Sequence, residues 1–282
     1  MIIVTGATGQ LGRLVISQLL KRVPAAQIVA AVRDPAKAAD LAAQGVAVRR
    51  ADYTDPASLD AAFQGATKVL LISSNELGNR VPQHRNVIDA AARAKVGLLA
   101  YTSVLHADRS TLGLAPEHRE TEEAVRASGL PYTLLRNGWY VENYTVSLGG
   151  AIAHGALAGG AGDGRIAAAA RADYAEAAAV VLASGGAVAQ VYELAGDTAF
   201  TLAELAAEVS RQTGKEIPFH NLPQQAYAAL LLNVGLPAPL AELIADSDAQ
   251  AAKGALFDDS GVLGKLIGHP TISLAAAVKA AL

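Results

Sequence analysis

Met1-Ile2-Ile3-Val4-Thr5-Gly6-Ala7-Thr8-Gly9-Gln10-Leu11-Gly12 opens the chain, and the apolar run Leu14-Val15-Ile16 to Leu19-Leu20 follows at once. The first residues read as a buried strand. A glycine turn spaced G-x-x-G-x-x-G leads straight into a helix. The three glycines play separate parts. Gly6 turns the chain off the strand, Gly9 removes a Cβ where backbone must approach a ligand, and Gly12 permits close packing of the helix. Free N–H groups and the helix dipole then face outward at the helix start, a geometry that accepts the pyrophosphate of a dinucleotide. Thr8 and Gln10 offer further donors. The same glycines would serve a turn needed only for packing, but their place after a strand and before a helix favours the nucleotide.

The rhythm continues outward from this turn. The second strand, Ile28-Val29-Ala30-Ala31-Val32, ends in Arg33. An acidic residue there would bind a ribose hydroxyl, whereas a guanidinium fork suits a 2′-phosphate. This favours NADP over NAD, with Lys37 as a helper. Asp34 qualifies the argument, as a ribose ligand or as a helix cap before Pro35. Arg33 itself also fits a solvated strand-end charge. A helix is expected over Pro35 to Gln44, a third strand over Val46 to Arg50, a short helix over Pro56 to Phe63 and a fourth strand over Lys68 to Ile72. Then come a helix from about Val81 to Lys95, a fifth strand over Gly97 to Thr102, a helix over Pro116 to Ser128 and a sixth strand over Tyr132 to Leu135. Alternating strands and helices predict an α/β fold with a Rossmann-like, doubly wound parallel sheet. Ligands in such sheets lie at the carboxyl ends of the strands. Those ends carry Arg33, Asp52, Tyr53, Ser73, Ser74, Asn75, Ser103 and the segment after Leu135. Asp52 is placed to accept from an adenine amino group, and Ser73, Ser74 and Asn75 to meet ribose hydroxyls. Each alone fits a cap or a turn equally well; their common position points to a site.

From about residue 145 the character changes. Glycines cluster at Gly149-Gly150, Gly159-Gly160 and Gly162 to Gly164. A helix over Asp173 to Ala183, a strand near Val191 to Leu194, an N-capped helix over Thr201 to Gln212 and a short strand at Ile217 to Phe219 are expected. The division is therefore read as a nucleotide-binding domain over 1–144. Residues 145–282 form a smaller C-terminal substrate lobe over the cleft, with segments that can return to the main sheet.

The chain has 282 residues, 52% of them hydrophobic, and a net charge of −3. That supports a large core and argues against nucleic acid as a partner. With no cysteine, disulfides, thiol catalysis and thiolate metal sites are excluded. The six histidines show no ligand spacing, so no metal is expected. His84, His118 and His154 read as surface residues. A strand beginning at residue 2 leaves no room for a cleaved signal peptide on this reading. No run of roughly 18 uninterrupted apolar residues suggests a membrane span. A soluble cytoplasmic protein is expected, and a homodimer stays open.

Val4 to Gly12 resembles the atypical short-chain dehydrogenase family, in its NmrA-like branch. Narrower stretches are similar to the bacterial NADPH:quinone oxidoreductases within it. These are Val32-Arg33-Asp34-Pro35-Ala36-Lys37, Tyr101-Thr102-Ser103-Val104-Leu105-His106-Ala107-Asp108, Leu134 to Tyr144, Ala195-Gly196-Asp197 and Leu266-Ile267-Gly268-His269-Pro270. The likeness covers essentially the whole chain and extends, less closely, to triphenylmethane dye reductases. It implies NADPH as cofactor and two-electron reduction of a small-molecule quinone without flavin. It implies cofactor contacts at Gly6, Ala7, Thr8, Gly9, Gln10 and Leu11, at Arg33, at Ser73 to Asn75, and at Gly138, Trp139, Tyr140, Val141, Glu142 and Asn143. The last group comes from the resemblance alone.

Ordinary short-chain dehydrogenases carry a Tyr-x-x-x-Lys pair on the helix after the fifth strand. Here that helix reads Pro116-Glu117-His118-Arg119-Glu120-Thr121-Glu122-Glu123. His118 and Glu122 stand nearest by spacing. An alkoxide is about as basic as hydroxide, whose parent water has a pKa of ~15.7, so its formation demands a positioned acid. A reduced quinone is phenolate-like, with a conjugate acid near ~10, and can take its proton from water. Loss of the pair is tolerable for quinones and damaging for aliphatic ketones. Asn143 is the first candidate for a polar group at the reacting centre, against a turn-stabilising role. Tyr140 is a candidate wall or donor, and His106 a weaker candidate for product protonation. Trp139 also fits a packing aromatic. A non-catalytic NADP sensor and a reductase of dyes or other conjugated electrophiles are the competing readings.

Overall fold

The computed structural model describes residues 1–186 and 188–282. Nine strands are described: β1 Ile2–Val4, β2 Ile28–Val32, β3 Ala47–Arg50, β4 Lys68–Leu71, β5 Leu98–Val104, β6 Tyr132–Asn137, β7 Leu157–Gly159, β8 Val191–Leu194 and β9 Phe219–Asn221. The helices are α1 Gln10–Leu20, α2 Ala39–Ala43, α3 Pro56–Ala62, α4 Arg80–Arg93, α5 Ala115–Ala127, α6 Glu142–Thr145, α7 Leu148–His154 and α8 Arg171–Ala183. They continue with α9 Leu202–Thr213, α10 Gln224–Asn233, α11 Ala238–Ala251, α12 Val262–Ile267 and α13 Leu274–Ala281. Among the described residues no helix is long and apolar enough to cross a membrane.

Seven strands form one sheet in the order β3-β2-β1-β4-β5-β6-β8. β1 pairs in parallel with β2 and with β4, so the chain order reverses between β1 and β4. That reversal opens a crevice at the carboxyl ends of the strands. The fold is the Rossmann-like α/β arrangement expected from the alternation. β1, β2 and β5 are buried along their whole length, as strands covered on both faces must be. Ile3, Val29, Val69, Leu71, Leu99, Tyr101 and Leu134 join Leu59 of α3, Phe63 just after it, Val87 of α4 and Val125 of α5 in one core. The strand residues in it follow the period of two that puts alternate side chains on one face.

Two compact units make up the chain. Unit 1 holds Met1–Ala107, Pro116–Asn137 and Ala172–Glu193; unit 2 holds Asp108–Ala115, Gly138–Arg171 and Leu194–Leu282. The sequence predicts a boundary at 144/145 with later segments able to return to the main sheet. The observed units interleave, because a strand late in the chain completes the first sheet. In unit 1 the Leu134 N–H donates to the Gln190 carbonyl at 2.8 Å, which docks β8 beside β6. In unit 2, β7 pairs in parallel with β9, with Leu157 opposite Phe219. Thr201 and Glu204 form a reciprocal capping box at the start of α9, as a Thr-x-x-Glu sequence predicts.

Two local expectations are corrected. Pro35 to Gln44 is a 3-10 turn over Pro35–Ala38 followed by the short α2. The strand expected at Ile217 to Phe219 begins only at Phe219, since Pro218 has no N–H to give a ladder.

Candidate functional site

The turn after β1 explains its own glycines. Gly6 has φ +58°, a left-handed conformation that favours glycine. A Cβ on Gly12 would fall on the Gly6 carbonyl oxygen and come within 2.7 Å of the Ala7 Cα. One on Gly9 would lie 3.1 Å from that same oxygen. The close approach that Gly12 permits is thus to the turn itself. Gly9 stands at the N-cap of α1 with no side-chain cap, which leaves the first N–H groups of the helix to a ligand.

In front of this turn lies a cavity of about 750 Å³, wholly within unit 1. Four strand ends build it. Gly6, Thr8, Gly9, Gln10, Leu11 and Gly12 come from the β1–α1 turn; Arg33 and Lys37 follow β2; Asp52 and Tyr53 follow β3; Ser73, Ser74, Asn75 and Glu76 follow β4. The structure gathers Arg33, Asp52, Tyr53, Ser73, Ser74 and Asn75 of the strand-end residues singled out in the sequence. Ser103 and the segment after Leu135 do not line this cavity, and the buried Ser103 hydroxyl donates instead to Glu122. Ala7 is fully buried beneath the turn and does not line the cavity.

Hydrogen bonds set the walls. The Tyr53 hydroxyl donates to the Ile72 carbonyl at 2.8 Å and sits 2.5 Å from Thr5 Oγ1. Burial pushes the phenol above its usual range, with Thr5 and the Arg33 charge opposing. Asp52 Oδ1 accepts from the Thr54 N–H at 2.9 Å and from its hydroxyl at 2.8 Å. These bonds hold the carboxyl below its ordinary value, outweighing burial, with help from Arg33 and Arg50. One Asp52 oxygen is thus committed to a local turn. The Ser73 N–H donates to Thr102 Oγ1 at 2.8 Å and the Ser74 N–H to His84 Nε2 at 2.9 Å. Arg80 Nε donates to the Ser74 carbonyl at 2.6 Å. The Arg33 guanidinium faces Glu76 at 3.4 Å, and buried Gln83 donates to the other Glu76 oxygen at 2.6 Å.

His84 and His118 are buried, which overturns the reading of both as surface residues; His154 is exposed. His84 accepts through Nε2, so its Nδ1 carries the proton toward Thr121 Oγ1 at 3.0 Å. His118 Nδ1 lies 2.7 Å from the Tyr101 hydroxyl. Burial first, and the Arg80 charge second, push both imidazoles down to about 3. Glu122 is sealed as well. Arg136 grips it with Nε at 2.8 Å and Nη2 at 2.7 Å, and the Ser103 hydroxyl adds a bond at 2.7 Å. Burial opposes ionisation here, but Arg136, Ser103 and Arg126 prevail and hold the carboxyl below its ordinary value. The two α5 residues nearest to the Tyr-x-x-x-Lys spacing are committed to internal partners.

His106 follows β5 and lies outside the cavity lining. Its φ is +52°, a strained value for a residue with a Cβ and one that clusters at functional positions. The backbone N–H donates to Glu193 Oε2 at 2.8 Å, and Nδ1 stands 3.5 Å from that oxygen. Arg136 donates to the other Glu193 oxygen at 2.7 Å.

Gly138 to Asn143 belongs to unit 2. The Gly138 N–H donates to the Leu194 carbonyl at 2.7 Å, and the Val141 N–H to Ala169 at 2.9 Å. Trp139 is half-buried and its carbonyl accepts from the Ala169 N–H at 3.2 Å. The Arg171 guanidinium lies 4.6 Å above the Tyr140 ring. Glu142 accepts from the Arg171 backbone N–H at 2.9 Å. Asn143 is exposed, and its N–H donates to the Tyr140 carbonyl at 3.0 Å. The side chain stands at the surface of a pinned segment.

Glu76 and Gln83 are not singled out in the sequence, and His84 is read there as a surface residue. His84 shares the spacing of Val87, Ile88 and Ala91, all on the buried stripe of α4, and that periodicity could have found it. Glu76 adjoins Asn75, but its pairing with Arg33 joins residues 43 positions apart.

A family described as NAD(P)H-binding matches residues 6–185. The chain belongs to the NAD(P)H-binding family. Within it, the chain is 60% identical over 278 residues to quinone oxidoreductase 2 of Escherichia coli strain K12, covering 99% of this chain and 97% of that protein. The crystal structure of the E. coli NADPH-dependent quinone oxidoreductase QOR2 complexed with NADPH superposes with a TM-score of 0.97 over 99% of both chains. The Citrobacter sp. triphenylmethane reductase complexed with NADP(H) is 40% identical, with a TM-score of 0.96 over the full length of both chains. The family's nucleotide function accords with this chain's cavity: a glycine cradle that a Cβ would fill, open helix N–H groups and a cation beyond β2.

Proposed function

We propose that this chain is an NADPH-dependent oxidoreductase that reduces quinones by direct two-electron transfer, with no flavin or metal intermediary. The observation that carries the reading is the cavity at the β1/β4 reversal, where the glycine cradle and Arg33 line one wall system. The α1 N-terminus receives the pyrophosphate, Arg33 the 2′-phosphate, and Ser73, Ser74 and Asn75 the ribose hydroxyls. Gly138, Trp139, Val141 and Glu142 are assigned to cofactor contact as well, on the strength of the family resemblance. The bound cofactor supplies a hydride. The protein's contribution is positioning and exclusion of water.

The burial of His118 and Glu122 in internal bonds supports a conjugated acceptor. Those two positions offer no acid to an alkoxide, and a phenolate-like product needs none held in place. Asn143 is assigned as donor to an acceptor oxygen through its side-chain amide, and Tyr140 as a wall. His106, fixed by Glu193, is assigned to proton supply. The identity to an enzyme described as a quinone oxidoreductase supports the acceptor class. The likeness to a triphenylmethane reductase supports a second acceptor class, cationic conjugated dyes. Cytoplasmic location and a homodimer complete the reading, to be checked by cell fractionation and light scattering.

The test is oxidation of NADPH by the purified protein with a small quinone, and in parallel with a triphenylmethane dye. Turnover with quinone is expected. NADPH binding without turnover on either acceptor would replace the enzyme with a nucleotide sensor, and no binding at all would remove the cavity assignment. Arg33→Ala is expected to weaken NADPH about tenfold or more and NADH far less. Equal losses would refute the 2′-phosphate role.

A further inference from the structure

Glu76 places a carboxylate in the same cavity wall as Arg33. It is a held group. Gln83, itself buried, donates to Glu76 Oε2 at 2.6 Å, and the Glu76 N–H donates to Ser74 Oγ at 3.2 Å. This leaves Oε1 facing the guanidinium at 3.4 Å. We infer that Glu76 sets the cofactor preference by competing with a 2′-phosphate for Arg33. The inference rests on the reading of this cavity as the NADPH site.

The competition is electrostatic. Arg33 is 69% and Glu76 43% exposed in their side chains, so their pair is weak and exchangeable. A 2′-phosphate brings nearly two negative charges and three acceptor oxygens, and displaces the carboxylate from the fork. The displaced carboxylate cannot move far, because Gln83 retains it. It therefore stays within a few ångströms of the phosphate and repels it. With no 2′-phosphate, the Arg33–Glu76 pair persists, and the carboxylate can accept from a ribose hydroxyl, as an acidic residue does in NAD sites. Glu76 thus lowers the NADPH-over-NADH preference below what Arg33 alone would give.

The test is direct binding, independent of turnover. Dissociation constants are measured for 2′,5′-ADP, 5′-AMP, NADPH and NADH with the full chain and its Glu76→Gln and Arg33→Ala variants. Glutamine keeps the hydrogen bond from Gln83 and removes the charge. Glu76→Gln is expected to tighten 2′,5′-ADP and NADPH about threefold to tenfold at low salt, with the gain shrinking at high salt. 5′-AMP and NADH should change less than about twofold or weaken. If Arg33→Ala weakens 2′,5′-ADP while Glu76→Gln leaves it within twofold or weakens it, the inference is overturned and the cavity reading survives. If Arg33→Ala leaves 2′,5′-ADP unchanged, the cavity reading itself fails.

Discussion

At the scale of single residues, what holds a side chain decides what it can do. Asn143 stands exposed on a segment pinned by the Val141 and Gly138 backbone bonds. Replacing it with alanine removes an amide without disturbing those bonds. Asn143→Ala is therefore expected to lower turnover with quinone roughly tenfold or more, with NADPH affinity within about threefold. Steady-state rates and a cofactor titration check this. A large loss of NADPH affinity would recast Asn143 as a cofactor ligand. Arg33 was legible because a cation at the end of the second strand is a one-residue signal. Glu76 was not, because its meaning depends on a partner from another strand end.

Elements divide the labour differently from their spacing in the chain. α5 occupies the place where ordinary short-chain dehydrogenases carry a Tyr/Lys pair, yet its inward residues lock the sheet. Glu122 is about 1% exposed and joins Arg136 of β6 to Ser103 of β5. Removing one partner of such a pair leaves an uncompensated buried charge. Glu122→Ala is expected to cost about 3–5 kcal/mol in urea unfolding, far more than a surface pair such as Arg93–Asp60 would. A cost below about 1 kcal/mol would show that Arg136 is satisfied by Glu193 alone. The strand–helix rhythm was readable because each element satisfies its own backbone and patterns its own apolar face. Internal commitment of His118 and Glu122 was not, since helical spacing alone does not tell a reactive pair from a buried strut.

The molecule as a whole should show opposing pH dependences. His84 and His118 have folded values pushed down to about 3, from an ordinary 6.5, by burial and then by Arg80. Their stabilising contribution is complete above about 6.5 and is lost as pH falls toward 3. Asp248, in unit 2, runs the other way. Burial raises it from 3.8 to about 6, although the Gly160 N–H donates to it at 2.8 Å. Its contribution is complete below about 3.8 and is lost as pH rises through 6. Unfolding free energy of the native chain should therefore fall steeply on acidification below 6.5, and His118→Gln should flatten that slope. Asp248→Asn should stabilise by about 2–3 kcal/mol at pH 8 and by little at pH 4. Urea titrations at several pH values check both; an unchanged slope or an unchanged difference would contradict them.

The order of strands and helices, the nucleotide turn and the Arg33 cation were determined by the sequence itself. Periodicity, glycine spacing and strand-end position are local, and each is enforced within a few residues. The tertiary structure alone decided which strand ends share a cavity. It decided which late strand, β8, docks beside β6 in the first sheet, that two histidines are sealed in the core and that Glu76 faces Arg33. Those facts depend on contacts between residues far apart in the chain, where burial and charge are set by neighbours that no local pattern names. The opening glycine turn could declare a nucleotide; only the assembled walls around it specify which groups meet that nucleotide.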